Sequence, residues 1–121
     1  MEWSATLPGR VISKKNSRQI YRTKSRTFVA TSDAYQAWHE EATYRLRALR
    51  PAMPLTGDLS LTITFRLKGK IDADWDNLSA SLCDLLTDCG VIADDKQIVL
   101  ANVRKIRGAE DFSTEISVSE M

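Results

Sequence analysis

Residues 72–95 carry seven aspartates, no glutamate and no Lys or Arg. This run constrains the chain more than any other stretch. Like charges so close together repel one another unless a cation sits among them. A solvated loop would relieve the repulsion, but the middle of the run is not patterned as a loop. Leu78, Leu82, Leu85, Leu86 and Cys89 recur at i, i+4, i+7, i+8 and i+11, which is one apolar stripe of a helix. Gly90 follows as a left-handed stop. The acids are therefore fixed in space: Asp74 and Asp76 at the helix entrance, Asp94 and Asp95 just after the return. Carboxylate oxygens in that pattern suit a hard divalent cation.

The length of 121 residues reads as one domain covering 1–121, and a hydrophobic share of 43% is enough to bury a core. The formal net charge of +1 excludes nothing, but its distribution is informative. Residues 10–26 hold seven basic side chains (Arg10, Lys14, Lys15, Arg18, Arg22, Lys24, Arg26) and no acid. Most charge runs are solvated surface. Here the missing acids, with Tyr21 and Phe28 available for stacking, favour nucleic acid as the partner. Cys83 and Cys89, six apart on the expected helix, fit neither a disulfide nor a zinc site. Reduced cysteines, no membrane-length apolar run and no signal-peptide pattern lead us to expect a cytoplasmic protein.

Elsewhere the periodicity predicts the following order. Residues 2–7 alternate as a half-buried strand, which Pro8-Gly9 interrupts and Val11-Ile12 can resume. The basic segment reads as a loop with a short ribbon around Ile20-Tyr21 and Phe28-Val29. Ser32 or Asp33 can cap a helix over 34–49, with Tyr35, Trp38, Ala42, Leu46 and Leu49 as its stripe. His39 lies off that stripe and receives no role. Residues 59–67 give the cleanest strand. A further strand is expected over 97–106, then a hairpin turn at Gly108, then a strand in which Phe112, Thr114, Ile116 and Val118 share one face. The expected fold is α+β: a small mixed sheet of about four strands with two helices packed on one face, in the order β-α-β-α-β-β.

Each acid has an ordinary role when taken alone. Asp74 can N-cap the helix, with Asp76 near its positive end. Asp94 and Asp95 can be turn residues. Asp84 and Asp88 fit the solvent face with Ser81, and Trp75 reads as packing. Asn77 can orient a ligand or close the helix start. Taken together, Asp74, Asp76 and Asp95 point to a metal. Two of them sit one residue apart, so both project to one side of an extended chain. Three carboxylates would hold Mg²⁺ or Mn²⁺ and leave positions for water and a phosphate oxygen.

The run Asp74-Trp75-Asp76-Asn77-Leu78, then Asp84, then Gly90 followed by Asp94-Asp95-Lys96-Gln97-Ile98, resembles the RusA family of Holliday-junction resolvases. Leu7-Pro8, the Lys14-Lys15-Asn16-Ser17 loop and a helix opening near Ser32 and Tyr35 extend the resemblance over nearly the whole chain. It implies a homodimeric, Mg²⁺-dependent endonuclease that nicks four-way DNA junctions, of a kind often encoded by phages and prophages. The family's essential acids map onto Asp74, Asp76 and Asp95. One position departs: the family commonly has a lysine four residues after the second motif aspartate, and this chain has Ala80. Lys96, Lys70 or a basic-loop lysine could supply that cation.

The expectation is therefore junction cleavage by in-line attack of water, leaving a 5′-phosphate and a 3′-hydroxyl. Asp74, Asp76 and Asp95 are the metal-binding and catalytic set, with Asp72, Asn77, Asp94 and Lys96 as supporting neighbours. Lys14, Lys15, Asn16, Arg18, Arg22 and Lys70 are expected to grip DNA. Two competing expectations are a non-catalytic junction-binding module, which Ala80 favours, and a partner-binding subunit.

Overall fold

The computed structural model describes residues 1–13, 18–22, 27–31 and 33–121. Lys14, Lys15 and Asn16, expected to grip DNA, lie outside the described residues, as does the helix cap Ser32. The N-terminal alternation folds as strand β1 (Glu2–Pro8), with Trp3 and Leu7 buried. The expected resumption of this strand at Val11-Ile12 does not occur: Val11 is buried, but residues 10–13 have no strand pairing. Pro8 ends the strand and Gly9 turns the chain at a φ of 88°. The ribbon forms as β2 (Arg18–Arg22) and β3 (Thr27–Thr31), with Ile20 opposite Val29 and Tyr21 opposite Phe28.

Helix α1 (Asp33–Leu49) buries Tyr35, Ala42 and Leu46, while Trp38 is half-buried. Leu49, placed on the stripe by its spacing, is 56% exposed because the helix ends there and its last turn overhangs the core. Its carbonyl nevertheless accepts a bond from the Trp3 indole at 2.9 Å, tying this end of α1 to β1.

Strand β4 (Leu59–Lys68) is central, as its alternation requires: Leu59, Leu61, Ile63, Phe65 and Leu67 are all buried. Helix α2 (Trp75–Asp88) follows, and its stripe of Leu78, Leu82, Leu85 and Leu86 is buried as expected. Ser81 corrects the reading that put it on the solvent face, since it is 1% exposed. It lies one residue before Leu82 and three after Leu78, on the flank of the apolar stripe. Trp75 corrects the packing role: it opens the helix on the outer side and is 55% exposed. Gly90 stops the helix with a φ of 80°, and the amide of Val91 returns to the Leu86 carbonyl at 3.0 Å.

A short 3-10 turn (Asp95–Gln97) leads into β5 (Ile98–Ala109), and β6 (Ser113–Glu120) completes the chain. The sheet order is β1-β6-β4-β5, with β4 and β5 parallel and the other pairs antiparallel. The expected hairpin at Gly108 is therefore absent. β5 and β6 lie on opposite sides of β4, and the chain crosses the end of β4 through residues 110–112. Gly108 instead occupies a bulge. Arg107 pairs with Leu67 and Ala109 with Lys68, so Gly108 is the extra residue, at a φ of 76°. A glycine read as a turn was the signature of a bulge.

The core lies between one face of this sheet and the stripes of both helices. Inward residues align in rows across it. One row runs Leu7, Thr114, Phe65 and then Lys105 on β5. The fold is α+β: two helices and a four-stranded mixed sheet, with the ribbon as an addition.

Candidate active site at the two ends of α2

The parallel β4-α2-β5 unit sorts the acids. The loop after β4 brings Asp72, Asp74 and Asp76 to the start of α2, and the turn before β5 brings Asp94 and Asp95 past its far end. Asp74 stands at the N-cap with extended backbone (φ −71°, ψ 122°), yet its side chain makes no capping bond. Its main-chain carbonyl accepts the first helical bond, from the Leu78 amide at 3.2 Å. Asp74 Oδ2 accepts from Asn77 Nδ2 at 3.4 Å, and Asp76 Oδ1 accepts from the Asn77 amide at 2.9 Å. Asn77 thus holds one oxygen of each carboxylate. Both acids are exposed, and the positive end of α2 favours their charge.

Asp72 is braced from β5. Lys105 Nζ donates to Asp72 Oδ1 at 2.8 Å and to the Ala73 carbonyl at 2.8 Å, while Arg107 Nε lies 3.1 Å from Asp72 Oδ2. The Ala73 amide adds a 2.8 Å bond to Asp72 Oδ1. The Lys105 bond, foremost, and then the Ala73 amide pull the Asp72 carboxyl down to about 2. Sequence reasoning missed Lys105 and Arg107. The available signal was parity: both share the face of Val103, which packs on the core, so β5 carries cations where apolar residues are expected.

The return is arranged differently. Asp94 caps the 3-10 turn, accepting from the Lys96 amide at 2.8 Å, and the Gln97 carboxamide accepts from the amides of Ala93 and Asp94 at 2.9 and 3.1 Å. Gln97 also donates to the carbonyls of Leu55 and Gly57, each at 3.1 Å. Tyr35, Asp84, Thr87, Asp88, Asp94 and Asp95 line a cleft of about 340 Å³. Hydrogen bonding to Asp94 pushes the Asp95 carboxyl above the ordinary range, with smaller contributions from partial burial and the charges of Asp94 and Asp84; Lys96 opposes them. The partner Asp94 moves down, chiefly through the Lys96 amide. Burial, helped by Asp95 and Asp84, lifts the Cys83 thiol to about 11, so that thiol is no nucleophile at neutral pH. Both cysteines are free. His39, given no role by sequence, meets Asp88 Oδ2 through Nε2 at 2.9 Å, and its ring centroid lies 5.8 Å from that of Tyr35.

Asp74 and Asp76 are thus brought together through Asn77, with Asp72 beside them. Asp95 lies in a cleft with Asp84, Asp88 and Asp94, a lining that does not include Asp74 or Asp76. Asp84 is two turns beyond Asp76, or about 12 Å of helix axis. Among the described residues no three His, Cys, Asp or Glu side chains come together in a group that could hold a metal ion. The donors fit Mg²⁺ in kind, because that ion is ordinarily held through one or two carboxylates and keeps several waters. Lys96 stands beside Asp94 and Asp95, and Lys70 is exposed in the turn after β4. Arg18 and Arg22 are the end residues of β2.

Among curated proteins, none matches the chain. The family model described as Endodeoxyribonuclease RusA matches residues 8–119. That span takes in the basic segment, both helices and every acid at the two ends of α2, so the chain belongs to the RusA endodeoxyribonuclease family and is a nuclease of that kind.

Proposed function

We propose that the protein is a Mg²⁺-dependent endonuclease, able to use Mn²⁺, that resolves four-way DNA junctions by paired nicks from a two-fold dimer in the cytoplasm. The observation that carries this reading is the Asp74–Asp76 pair. Both carboxylates are exposed, Asp74 makes no capping bond, and Asn77 meets each of them, Asp74 through its carboxamide and Asp76 through its main-chain amide. An acid that merely began the helix would be spent on its amides, and Asp74 at the N-cap is not. Asp74 and Asp76 would hold the ion, and Asp95, in the separate cleft past the far end of α2, would be the third acid the reaction requires. When bound, the ion would supply positive charge at the scissile phosphate and a lowered pKa for water.

The chain's own residues do the rest. Asn77 fixes the carboxylates before substrate arrives, which limits the reorganisation needed during reaction. Lys14, Lys15, Asn16, Arg18, Arg22 and Lys70 hold the backbone phosphates of the junction arms. In the overall step water adds to phosphorus, the bond to the 3′ oxygen breaks, and that oxygen takes up a proton. The products are a 5′-phosphate and a 3′-hydroxyl. A symmetric junction needs two such nicks, hence one site per subunit of a two-fold dimer.

The test is nicking of a synthetic four-way junction with and without Mg²⁺. Cutting should require the metal, and Asp76→Asn should lose it while still binding the junction. Undiminished cutting by that variant would remove the metal assignment. A second reading, a junction-binding module without catalysis, draws support from Ala80 and from the distance between Asp95's cleft and the entrance. It predicts salt-sensitive junction binding and no cutting under any metal.

A further inference from the structure

We propose that Lys105 is a positioning residue for the reaction: from β5 it clamps the loop before α2 and so sets where Asp74 and Asp76 stand. This rests on the proposed role of those two acids. The Lys105 ammonium is committed to two acceptors on consecutive residues, the Asp72 carboxylate and the Ala73 carbonyl, both at 2.8 Å. The contacts span 33 and 32 residues of sequence, so they fasten the loop to a different strand. The side chain is 18% exposed, whereas Arg107 beside it is 65% exposed.

Lys105 closes the inward row that starts at Leu7 and passes through Thr114 and Phe65. Its stem therefore lies on the inward side of the sheet while its head reaches the loop. A partly buried ammonium persists only where acceptors compensate its lost hydration. Here both compensating acceptors immediately precede Asp74.

Three variants test the clamp: Lys105→Met, which keeps the stem and loses the charge, Lys105→Arg, and Asp72→Asn. Titration calorimetry on DNA-free protein should find Mn²⁺ bound about 10–100-fold more weakly by Lys105→Met, the range for losing a group that orients metal-binding carboxylates. The Mg²⁺ needed for half-maximal junction cutting should rise in parallel, with the rate at saturating Mg²⁺ largely kept. Lys105→Arg should recover part of the loss, and Asp72→Asn should reproduce it. Without any metal, hydrogen exchange at the amides of Ala73, Asn77 and Leu78 should quicken in Lys105→Met while β4 keeps its protection. Unchanged Mn²⁺ affinity, or a lowered melting temperature with no local change in exchange, would overturn the clamp. A wild-type protein that neither binds Mn²⁺ nor cuts would instead overturn the proposed function, and the exchange measurement would still decide whether Lys105 holds the loop.

Discussion

The two ends of α2 carry the same kind of charge and are held by opposite means. At the entrance, Lys105 and Arg107 neutralise Asp72, and one asparagine arranges the next two acids. At the return, Asp84, Asp88, Asp94 and Asp95 face one cleft, and their bracing is mostly neutral: a carboxamide, main-chain amides and one histidine. Local repulsion is relieved at the first end by cations from another strand. At the second, hydrogen bonds divide the charge: the Lys96 amide and the bond with Asp95 lower the Asp94 carboxyl, and the bond with Asp94 raises the Asp95 carboxyl. A chain can thus place acids densely either by importing counter-charges from another strand or by leaving a deficit that hydrogen bonds and Lys96 partly offset.

The largest expected effect tests whether both ends serve one reaction. Asp76→Asn and Asp95→Asn should each reduce Mg²⁺-dependent junction cutting to background, measured on denaturing gels, while binding without metal stays near wild type. Were Asp95→Asn to cut normally, the return would be a structural element and the comparison would become one of site against scaffold. Next in size is the helix that joins the ends. Leu82 is fully buried at its middle, so Leu82→Ala should cost about 2–5 kcal/mol in urea melts. Both ends should suffer together, since α2 is the common support.

How much of this was legible in the sequence follows from what each signal measures. Apolar periodicity reports burial against a core, so β4, the stripe of α2 and the inward face of β6 could be read from spacing alone. It reports nothing about sheet order, and β5 was expected beside β6 when β4 lies between them. The motif acids could be located along the chain but not relative to one another. That depends on the length of α2, which sets Asp95's neighbours at Asp84 and Cys83. Lys105 stands in a basic stretch with Arg104 and Arg107, but charge counting does not show that its side chain faces inward, toward the loop before α2.

A smaller effect separates the braces. Gln97→Ala removes the side chain that satisfies the Ala93 and Asp94 amides and the Leu55 and Gly57 carbonyls. The site is close to solvent, so water can replace part of the loss, and the cost should be about 1–2 kcal/mol by thermal or urea unfolding. Hydrogen exchange should quicken over residues 93–97 and leave residues 72–77 unaffected. Lys105→Met predicts the reverse pattern, so the two variants together ask whether the ends are braced independently. Loss of protection at both ends in either variant would mean that α2 responds as a single unit.

The smallest effect concerns Tyr35, whose ring borders the return cleft. Burial first, and then the charges of Asp84 and Asp88, raise its phenol above the ordinary value of 10.0. In the folded state the proton is therefore held more tightly than in the unfolded chain. The sign follows from linkage: the resulting stability is complete below the ordinary tyrosine value, and it is lost as pH rises through the higher folded value. Lysines titrate in the same window, so the measurement is a difference. Wild-type stability minus that of Tyr35→Phe should be constant up to about pH 10 and then fall with a slope of less than one proton. Asp84→Asn should shrink that fall by removing one of the two charges acting on the phenol. No substitution at the entrance should alter it, because the charges acting on Tyr35 are Asp84 and Asp88. An alkaline slope that responded to Asp72→Asn would show that the fields of the two ends overlap along the helix. The contrast between an imported counter-charge and an open deficit would then be one of degree.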